Sequence, residues 1–296
     1  MRSIEHPGPV SAERTQCVRT GLRAVDIELP RGESLLSGIA AALSKYDATS
    51  AVVLLHSGSL APMSFVMPAT SKSEAHAVYY SERFEANGAA RIESGCITVG
   101  QRDGTPWLHC HAVWTEADGS RRCGHVLPES QVGDPIQLSA WLLDGADFLV
   151  TADDETNFAL FQPMSKSTRG EAAATSLAVR VRPNVDFCTA LEEICAAHGI
   201  SHARVRGGVG SLIGAAFDDG RVIEPFITEV FIEQGVIAPA EGGALCADVD
   251  IGLVDHTGQM AEGRLRRGHN PVLVTFELII EPVDAVSLSG QSRRSA

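Results

Sequence analysis

The 296-residue sequence has no run of about 18 apolar residues, so it does not predict a membrane-spanning helix. Its first 16 residues lack the apolar core of a signal peptide, and we therefore expect a cytoplasmic protein. Basic residues are also few, because 24 Lys and Arg stand against 37 Asp and Glu and give a net charge of -13. DNA-binding proteins draw much of their affinity from basic side chains, so this balance disfavours a nucleic-acid partner without excluding a local basic patch.

Cysteine motifs and nucleotide motifs are absent as well. The seven cysteines are an odd number, are scattered and include no Cys-x-x-Cys pair, so free buried thiols are the simplest interpretation. The glycine-rich segment 204–214 fits neither the phosphate-loop motif nor the dinucleotide motif. At roughly 100–200 residues per domain, the length predicts two domains.

An internal repeat organises the chain. Residues 29–65 align without a gap with residues 181–217, and Gly58-Ser59-Leu60 falls on Gly210-Ser211-Leu212. Each copy has apolar residues at helical spacing, over 32–46 and 184–198, followed by a β-rich run that ends on glycines. The sequence therefore predicts an α+β fold with two similar domains, each a mainly antiparallel β-sheet flanked by one or more helices.

The repeat also sets the expected domain boundaries. The first domain is expected at 17–163 and the second at 176–283. Residues 164–175 are small and polar and are predicted to be a linker. Residues 1–16 and 284–296 are predicted to be flexible tails.

A strand in the first domain carries His109 and His111, which alternation places on one face. Asp118-Gly119 follows as a hairpin turn signal. If the loop is residues 117–119, His111 lies directly opposite His125, and three imidazoles converge on one face. A two-residue loop would instead turn His125 to the other face, and the sequence alone leaves both possibilities open.

Three converging neutral imidazoles are a common ligand set for Zn²⁺, with Fe, Ni, Cu or Mn as substitutes. A fourth position left to water would make the site catalytic in type, because the pKa of bound water falls towards 7. An isolated His-x-His is more often a pair of unrelated histidines. A third histidine in register favours a metal site formed by His109, His111 and His125.

The second copy departs from this pattern. Asp248, Asp250 and Arg264 stand where the first copy has its three histidines, and a loop of residues 256–258 would place Asp250 opposite Arg264. An Arg–carboxylate pair would then fill the metal position with fixed charges, giving a degenerate second site. The alternative is an ordinary exposed ion pair worth less than about 1 kcal/mol.

These features resemble the plant-and-prokaryote-conserved domain, abbreviated PPC or PCC. The residues that carry the resemblance are Gly32-Glu33, Gly58-Ser59, Glu93, His109-Cys110-His111, Asp118-Gly119 and Gly124-His125. Both halves resemble the family, and the second lacks all three histidines. The resemblance implies an antiparallel sheet flanked by helices, assembly as a trimer with pockets near subunit interfaces, and a metal site at the histidines.

The plant members of that family join the domain to AT-hooks, short Arg-Gly-Arg-Pro motifs that bind the minor groove. No such motif occurs here, so the plant DNA-binding role does not transfer. Prokaryotic members are often labelled DNA-binding by this analogy, which rests on fold alone.

Other residues are weaker candidates for the site. Glu93 is a candidate general base, although a surface ion pair explains it equally well. Arg121 shares the face of His125 and is a candidate for binding an anionic substrate, with a solvated surface charge as the alternative.

The glycine-rich segment supplies two further candidates, Arg204 and Arg206, which would hold a carboxylate or phosphate together with backbone N–H groups. A tight turn between strands is the alternative. In the first copy, His56 occupies the place that corresponds to Gly208. It is a candidate substrate-binding residue, and a purely structural role is the alternative.

The sequence thus favours a Zn-type enzyme that acts on a small, carboxylated metabolite, by hydrolysis or by hydration and elimination through metal-bound water. A DNA-binding regulator is the alternative from a different class. A metal-dependent sensor without turnover is a third possibility.

Overall fold

The chain folds mainly into β-strands, as its alternating apolar residues predict. The computed structural model describes residues 1–166 and 174–288. The elements of the first half are β1 (Thr15–Leu29), α1 (Leu35–Ser44), β2 (Ala51–Leu60), β3 (Ser64–Val66), β4 (Pro68–Thr70), β5 (Val78–Tyr80), β6 (Phe84–Glu85), β7 (Ala90–Arg102), β8 (Thr105–Thr115), β9 (Arg121–Val126), β10 (Val132–Asp144), β11 (Ala146–Ala152) and β12 (Ala159–Ser165). Those of the second half are β13 (Ser176–Val181), α2 (Phe187–Ala197), β14 (Ala203–Ala216), β15 (Val222–Pro239), β16 (Leu245–Asp255), β17 (Met260–Arg264), β18 (Val272–Pro282) and α3 (Ala285–Leu288).

The two halves have the same order of strands. In the first half the strands run β1-β10-β2-β7-β8-β9, and in the second they run β13-β18-β14-β15-β16-β17. Each half therefore reads strand, helix, three-strand meander, short strand and closing strand. Neighbours along these two paths are antiparallel, and β11 adds a short parallel pairing to β7. The predicted α+β fold with mainly antiparallel sheets is confirmed.

Strand β1 joins the two halves. Its residues 15–20 pair with β13, and its residues 21–29 pair with β10. One sheet path therefore runs through both halves, although each half has its own helix and core.

The predicted helices are present, and each is capped by a side chain. The Oγ of Ser34 accepts a hydrogen bond from the N–H of Ser37 at the start of α1. Asp186 caps α2 by accepting from the N–H of Thr189. Such caps satisfy backbone donors that have no partner within the helix. Each helix packs its apolar face against the sheet of its own half.

The opposite faces of the two sheets pack against each other. This inter-half core is formed by apolar side chains of both halves, among them Val52, Phe148, Val209, Phe231 and Ile279. The layers are therefore helix, sheet, sheet and helix. The polar residues that sit on these inner faces lie between the halves.

The glycine-rich segment lies inside β14 and not in a turn. Gly207 and Gly208 have φ angles of 58° and 144°. A Cβ on Gly207 would stand 2.5 Å from Cγ1 of Val52 and 2.7 Å from Sγ of Cys96 in the other half. The glycines therefore allow the two sheets to approach closely, and neither the expected turn nor an anion cradle is found here.

The N-terminal residues differ from the flexible tail expected from their composition. The N–H of Ile4 donates to Oδ1 of Asn184 (2.8 Å), and the buried ring of His6 lies 2.7 Å from the carbonyl oxygen of Leu273. These hydrogen bonds fix a polar segment on the second half.

The other boundary predictions stay predictions. The end of the first domain, expected at residue 163, falls within β12. Residues 167–173 of the expected linker and 289–296 of the expected tail lie outside the described residues. No helix in the described ranges is long and apolar enough to cross a membrane. All seven cysteines are free, and five of them are buried.

Candidate metal centre

The hairpin of β8 and β9 has the three-residue loop. The N–H of Gly119 donates to the carbonyl of Glu116 (3.0 Å), and Gly119 has a φ of 85°. This loop pairs Glu116 with Ser120 and sets the register of both strands.

The same register places His111 directly opposite His125, which confirms the predicted pairing. His109 lies two residues along β8, on the same face. The potential ligand atoms of the three rings all lie within 4.8 Å of one another. Ring centroids are 4.7 to 5.2 Å apart. The three histidines therefore form a cluster that could hold a metal ion.

The second half orients two of these rings. The Nδ1–H of His109 donates to Oε2 of Glu277 (2.9 Å), and the Nδ1–H of His111 donates to the carbonyl of Val230 (2.8 Å). A carbonyl oxygen only accepts hydrogen bonds, so His111 carries its proton on Nδ1. Carboxylate and carbonyl partners of this kind fix the tautomer of metal-binding histidines.

The ring nitrogens that face inward indicate a cation site. Nε2 of His109 lies 3.1 Å from Nε2 of His111. With a proton on each Nδ1, both Nε2 atoms present lone pairs, which repel each other unless a cation or proton lies between them. Burial, with the neighbouring rings, holds the pKa of His111 well below its usual value and so disfavours a proton. A metal ion satisfies both lone pairs.

A buried carboxylate completes the cluster. Glu229 lies with Oε1 3.7 Å from Nδ1 of His125 and Oε2 3.9 Å from Nε2 of His111. Among the described residues, Oε2 of Glu229 and Nδ1 of His125 have no hydrogen-bond partner. Burial raises the pKa of Glu229 well above its ordinary value. Three imidazoles and a carboxylate with unsatisfied atoms fit a divalent transition metal.

Two cavities reach the histidines. One, of about 50 Å³, has an apolar and aromatic wall that includes Tyr79, Phe158 and Ile227, and it contacts His109 and His111. The second, of about 280 Å³, contacts His109 and His125. Tyr80 lines both, and its ring centroid lies 5.1 Å from that of His125. The cluster is therefore accessible to small molecules.

Glu93 is not brought to the imidazoles. Its carboxylate accepts hydrogen bonds from Oγ1 of Thr115 and from Nε of Arg121 (2.7 Å), and these bonds lower its pKa. Arg121 also pairs with Glu262 of the second half. Because both side chains are engaged in ion pairs, the structure offers Glu229 and not Glu93 as the carboxylate beside the histidines.

The other predicted substrate-binding residues are also occupied elsewhere. Nε2 of His56 lies 2.9 Å from Oγ of Ser139. Arg204 donates to the carbonyl of Ser287 (2.6 Å). Arg206 pairs with Glu281 (2.6 Å) and stacks over the ring of Trp141. His56, Arg204 and Arg206 line neither cavity at the histidine cluster.

The predicted pairing in the second half is present. Asp250 lies opposite Arg264, and two hydrogen bonds of 3.0 Å join the guanidinium to its carboxylate. Gln234 donates to the same carboxylate (2.6 Å). Asp248 lies opposite Val236 on the neighbouring strand. A fixed ion pair therefore occupies the place that corresponds to the histidine cluster.

Sequence analysis did not predict Glu277 or Tyr80 as residues of the site, and it did not predict that Glu229 lies beside the histidines. One signal was available, because Glu229 and Glu277 interrupt the apolar runs TEVFIE and VTFELII. A carboxylate in a buried strand requires a partner. Tyr80 gives no such signal, since it belongs to a short hairpin that folds over the site.

Comparison with known proteins finds a family match in the first half. Residues 18–142 match the family model described as the Plants and Prokaryotes Conserved (PCC) domain. All three histidines lie within this match. The match covers less than half of the chain and agrees with the resemblance seen in the sequence. No curated protein matches the chain.

Several solved structures are similar to part of the chain. A PPC protein from Pyrococcus horikoshii is 19% identical, with a TM-score of 0.40, over 53% of this chain and 100% of its own. A metal-containing protein from Archaeoglobus fulgidus is 17% identical, with a TM-score of 0.38, over 55% of this chain and 99% of its own. A proposed DNA-binding protein from Ralstonia eutropha is 14% identical, with a TM-score of 0.38, over 46% of this chain and 89% of its own.

Proposed function

We propose that this chain is a metal-dependent enzyme that hydrolyses, or adds or eliminates water from, a small carboxylated metabolite. The observation that carries the proposal is the convergence of His109, His111 and His125 next to the buried carboxylate of Glu229, at the junction of two cavities. A surface histidine cluster would have neither the oriented tautomers nor the enclosed carboxylate.

Each residue of the site has a distinct role in the proposed reaction. His109, His111 and His125 would hold the ion, and Glu277 and the carbonyl of Val230 keep two of the rings oriented. When bound, a divalent ion supplies a Lewis acid that polarises a carbonyl group and lowers the pKa of water. Glu229 would accept a proton from the attacking water and return it to the leaving group. Zinc is the proposed ion, because catalytic zinc sites commonly have three protein ligands, such as imidazoles, and a fourth coordination position that is open to water or substrate.

Metal analysis tests the first part of the proposal. Purified wild-type protein should contain about one equivalent of zinc or another transition metal, and the His111→Ala variant should contain at least tenfold less. His269→Ala is the matched control, since His269 is exposed and distant in sequence from the cluster. Equal metal content in all three proteins would exclude the site.

Turnover tests the second part. We expect the zinc-loaded protein to hydrolyse 4-nitrophenyl acetate, and Glu229→Gln to retain zinc while losing at least tenfold in rate. The Glu281→Gln variant, altered at the half-buried end of β18, should behave as wild type. Zinc binding without any hydrolysis of this ester or of a panel of small carboxylic esters and hydroxy acids would favour the sensor over the enzyme.

We also propose that the second half is a diverged copy of the first that has lost its metal. Its elements have the same order, and Asp250 and Arg264 form an ion pair at the corresponding register positions. The trimer implied by the family resemblance stays a prediction, which light scattering of the purified protein measures directly.

A further inference from the structure

The two cavities at the histidine cluster differ in charge. Among the described residues, no Lys or Arg lies in the wall of the apolar cavity. The larger cavity contains Arg102, together with Trp107 and Phe161. Within the part of the chain that the structure describes, a carboxylated ligand therefore meets a cation on the side of the larger cavity.

Strand register places Arg102 on the same face as the histidines. Alternate residues of β8 put Trp107, His109 and His111 on one face. Their cross-strand partners on β7 are Gly100, Thr98 and Cys96. Arg102 follows Gly100 at the next position of the same face, at the end of β7. A row of side chains thus leads from the metal cluster through Trp107 to Arg102.

The guanidinium of Arg102 is held but not neutralised. Its Cζ lies 5.2 Å from the ring centroid of Trp107, a stacking that restricts its orientation. In residues 1–166 and 174–288, Arg102 has no ion-pair partner. Arg121, Arg206 and Arg264, by contrast, are each paired with a carboxylate. An arginine of this kind at a cavity mouth is suited to bind a planar carboxylate with two hydrogen bonds.

A second observation in the same cavity points to a ligand. Glu277 lines its wall and is 1% exposed in its side chain, and its Oε2 accepts from His109. Its other oxygen, Oε1, is buried and has no hydrogen-bond partner among the described residues. Buried carboxylate oxygens are normally satisfied, so this atom is suited to accept a hydrogen bond from a hydroxyl or amide group of a ligand.

We propose that Arg102, stacked on Trp107, is the carboxylate-binding residue of this site. The substrate class is then a small carboxylic acid that extends from the metal cluster along the row to Arg102, with its reacting group at the histidines. This inference rests on the proposed function, because it uses the same histidine centre. It replaces Arg121, Arg204 and Arg206 as the residues that select the anion.

Anion binding to the cobalt-substituted protein tests the inference without any turnover. Each of the dicarboxylates from malonate to adipate is compared with the monocarboxylate of equal length, by titration of the visible cobalt spectrum. We expect at least one dicarboxylate to bind about tenfold more tightly than its monocarboxylate, because its second carboxylate reaches Arg102. Arg102→Gln should abolish this difference, and Arg102→Lys should retain part of it.

Arg91→Gln is the matched control, because Arg91 lies on the same strand but lines neither cavity at the histidines. This variant should keep the wild-type preference. The inference is overturned if no dicarboxylate exceeds its monocarboxylate, or if Arg102→Gln keeps the preference. Absence of a histidine-type cobalt spectrum before any anion is added would instead overturn the metal site and the proposed function.

Discussion

Nδ1 of His109 lies 2.9 Å from Oε2 of Glu277, a residue 168 positions further along the chain. A predicted ligand of the first half is thus oriented by a carboxylate of the second. Replacing Glu277 by Gln keeps the shape but removes the charge that fixes the ring. We expect the zinc affinity to fall by about 10- to 100-fold, as is usual when such partners are lost.

The measurement is a competition titration with a zinc chelator. The Glu281→Gln variant is the control, because Glu281 lies on the same strand but pairs with Arg206. An unchanged affinity in Glu277→Gln would mean that the second half does not contribute to the metal site.

The close packing of the two halves leads to a second prediction, which concerns stability. Gly207 combines a φ of 58° with close contacts to Val52 and Cys96, whereas Gly104 has a φ of 76° and open space around it. An alanine at either position incurs backbone strain of about 1 kcal/mol. Gly207→Ala must also push the two sheets apart, and overpacking adds about 1–3 kcal/mol.

We therefore expect Gly207→Ala to lower the free energy of unfolding by about 2–4 kcal/mol and Gly104→Ala by about 1 kcal/mol. Urea unfolding followed by tryptophan fluorescence and circular dichroism measures both. Equal effects of the two variants would show that the inter-half contact at Gly207 is not tightly packed.

Local signals in the sequence predicted the hairpins and helices. The turn glycine, Gly119, and strict alternation along β8 determine which face each side chain takes, so the pairing of His111 with His125 could be predicted on the assumption of a three-residue loop. The same reasoning placed Asp250 opposite Arg264. These features depend on residues that are close together in the chain.

Residues that meet through packing of the halves could not be predicted in this way. The positions of Glu229 and Glu277 depend on how one sheet face lies on the other, and no local pattern encodes that arrangement. The place of the glycine-rich segment inside a strand could not be predicted for the same reason, since Gly207 faces Val52 and Cys96 of the other half. Glu93 was a candidate general base, with an ion pair as the alternative, and in the structure it pairs with Arg121.

The ion pair of the second half gives a third prediction. Arg264 is 46% exposed in its side chain, so its pair with Asp250 is partly screened by solvent. Arg264→Ala should lower the free energy of unfolding by less than about 1 kcal/mol. It should leave the metal content unchanged, because the three histidines proposed to hold the metal lie in the first half. A doubled metal content in this variant would contradict the view that the second half has lost its ligands.

The charge of the chain gives a fourth prediction. With a net charge of -13 and no AT-hook motif, the protein should not retain duplex DNA in a gel-shift titration at physiological salt. The titration should be repeated with the zinc-loaded protein, since a bound ion changes the local charge. Binding that weakens steeply as salt increases would support the regulator in place of the enzyme.

Acid stability gives the last prediction, centred on Asp153. Its side chain is 1% exposed and accepts hydrogen bonds from Arg180 (2.8 Å) and Arg182 (2.7 Å). Burial alone would raise the pKa of Asp153, but the two guanidinium groups outweigh it and lower the pKa to about 2, from an ordinary value of 3.8. A carboxyl group with a lowered pKa stabilises the fold above its ordinary pKa, and this stabilisation is lost as the pH falls towards 2.

The contribution amounts to about 2 kcal/mol at neutral pH. Asp153→Asn should lose more, about 3 kcal/mol, because it leaves two buried arginines without their carboxylate. The difference in unfolding free energy between wild type and variant should therefore narrow as the pH falls below about 4, because the carboxyl group of the unfolded chain then takes up a proton while the folded carboxylate stays ionised until about pH 2. Asp154→Asn, at the exposed neighbouring position, should show no such dependence. If the difference between wild type and Asp153→Asn stays constant down to the acid unfolding transition, the carboxylate does not act through its charge, and the arginines must be balanced by other groups.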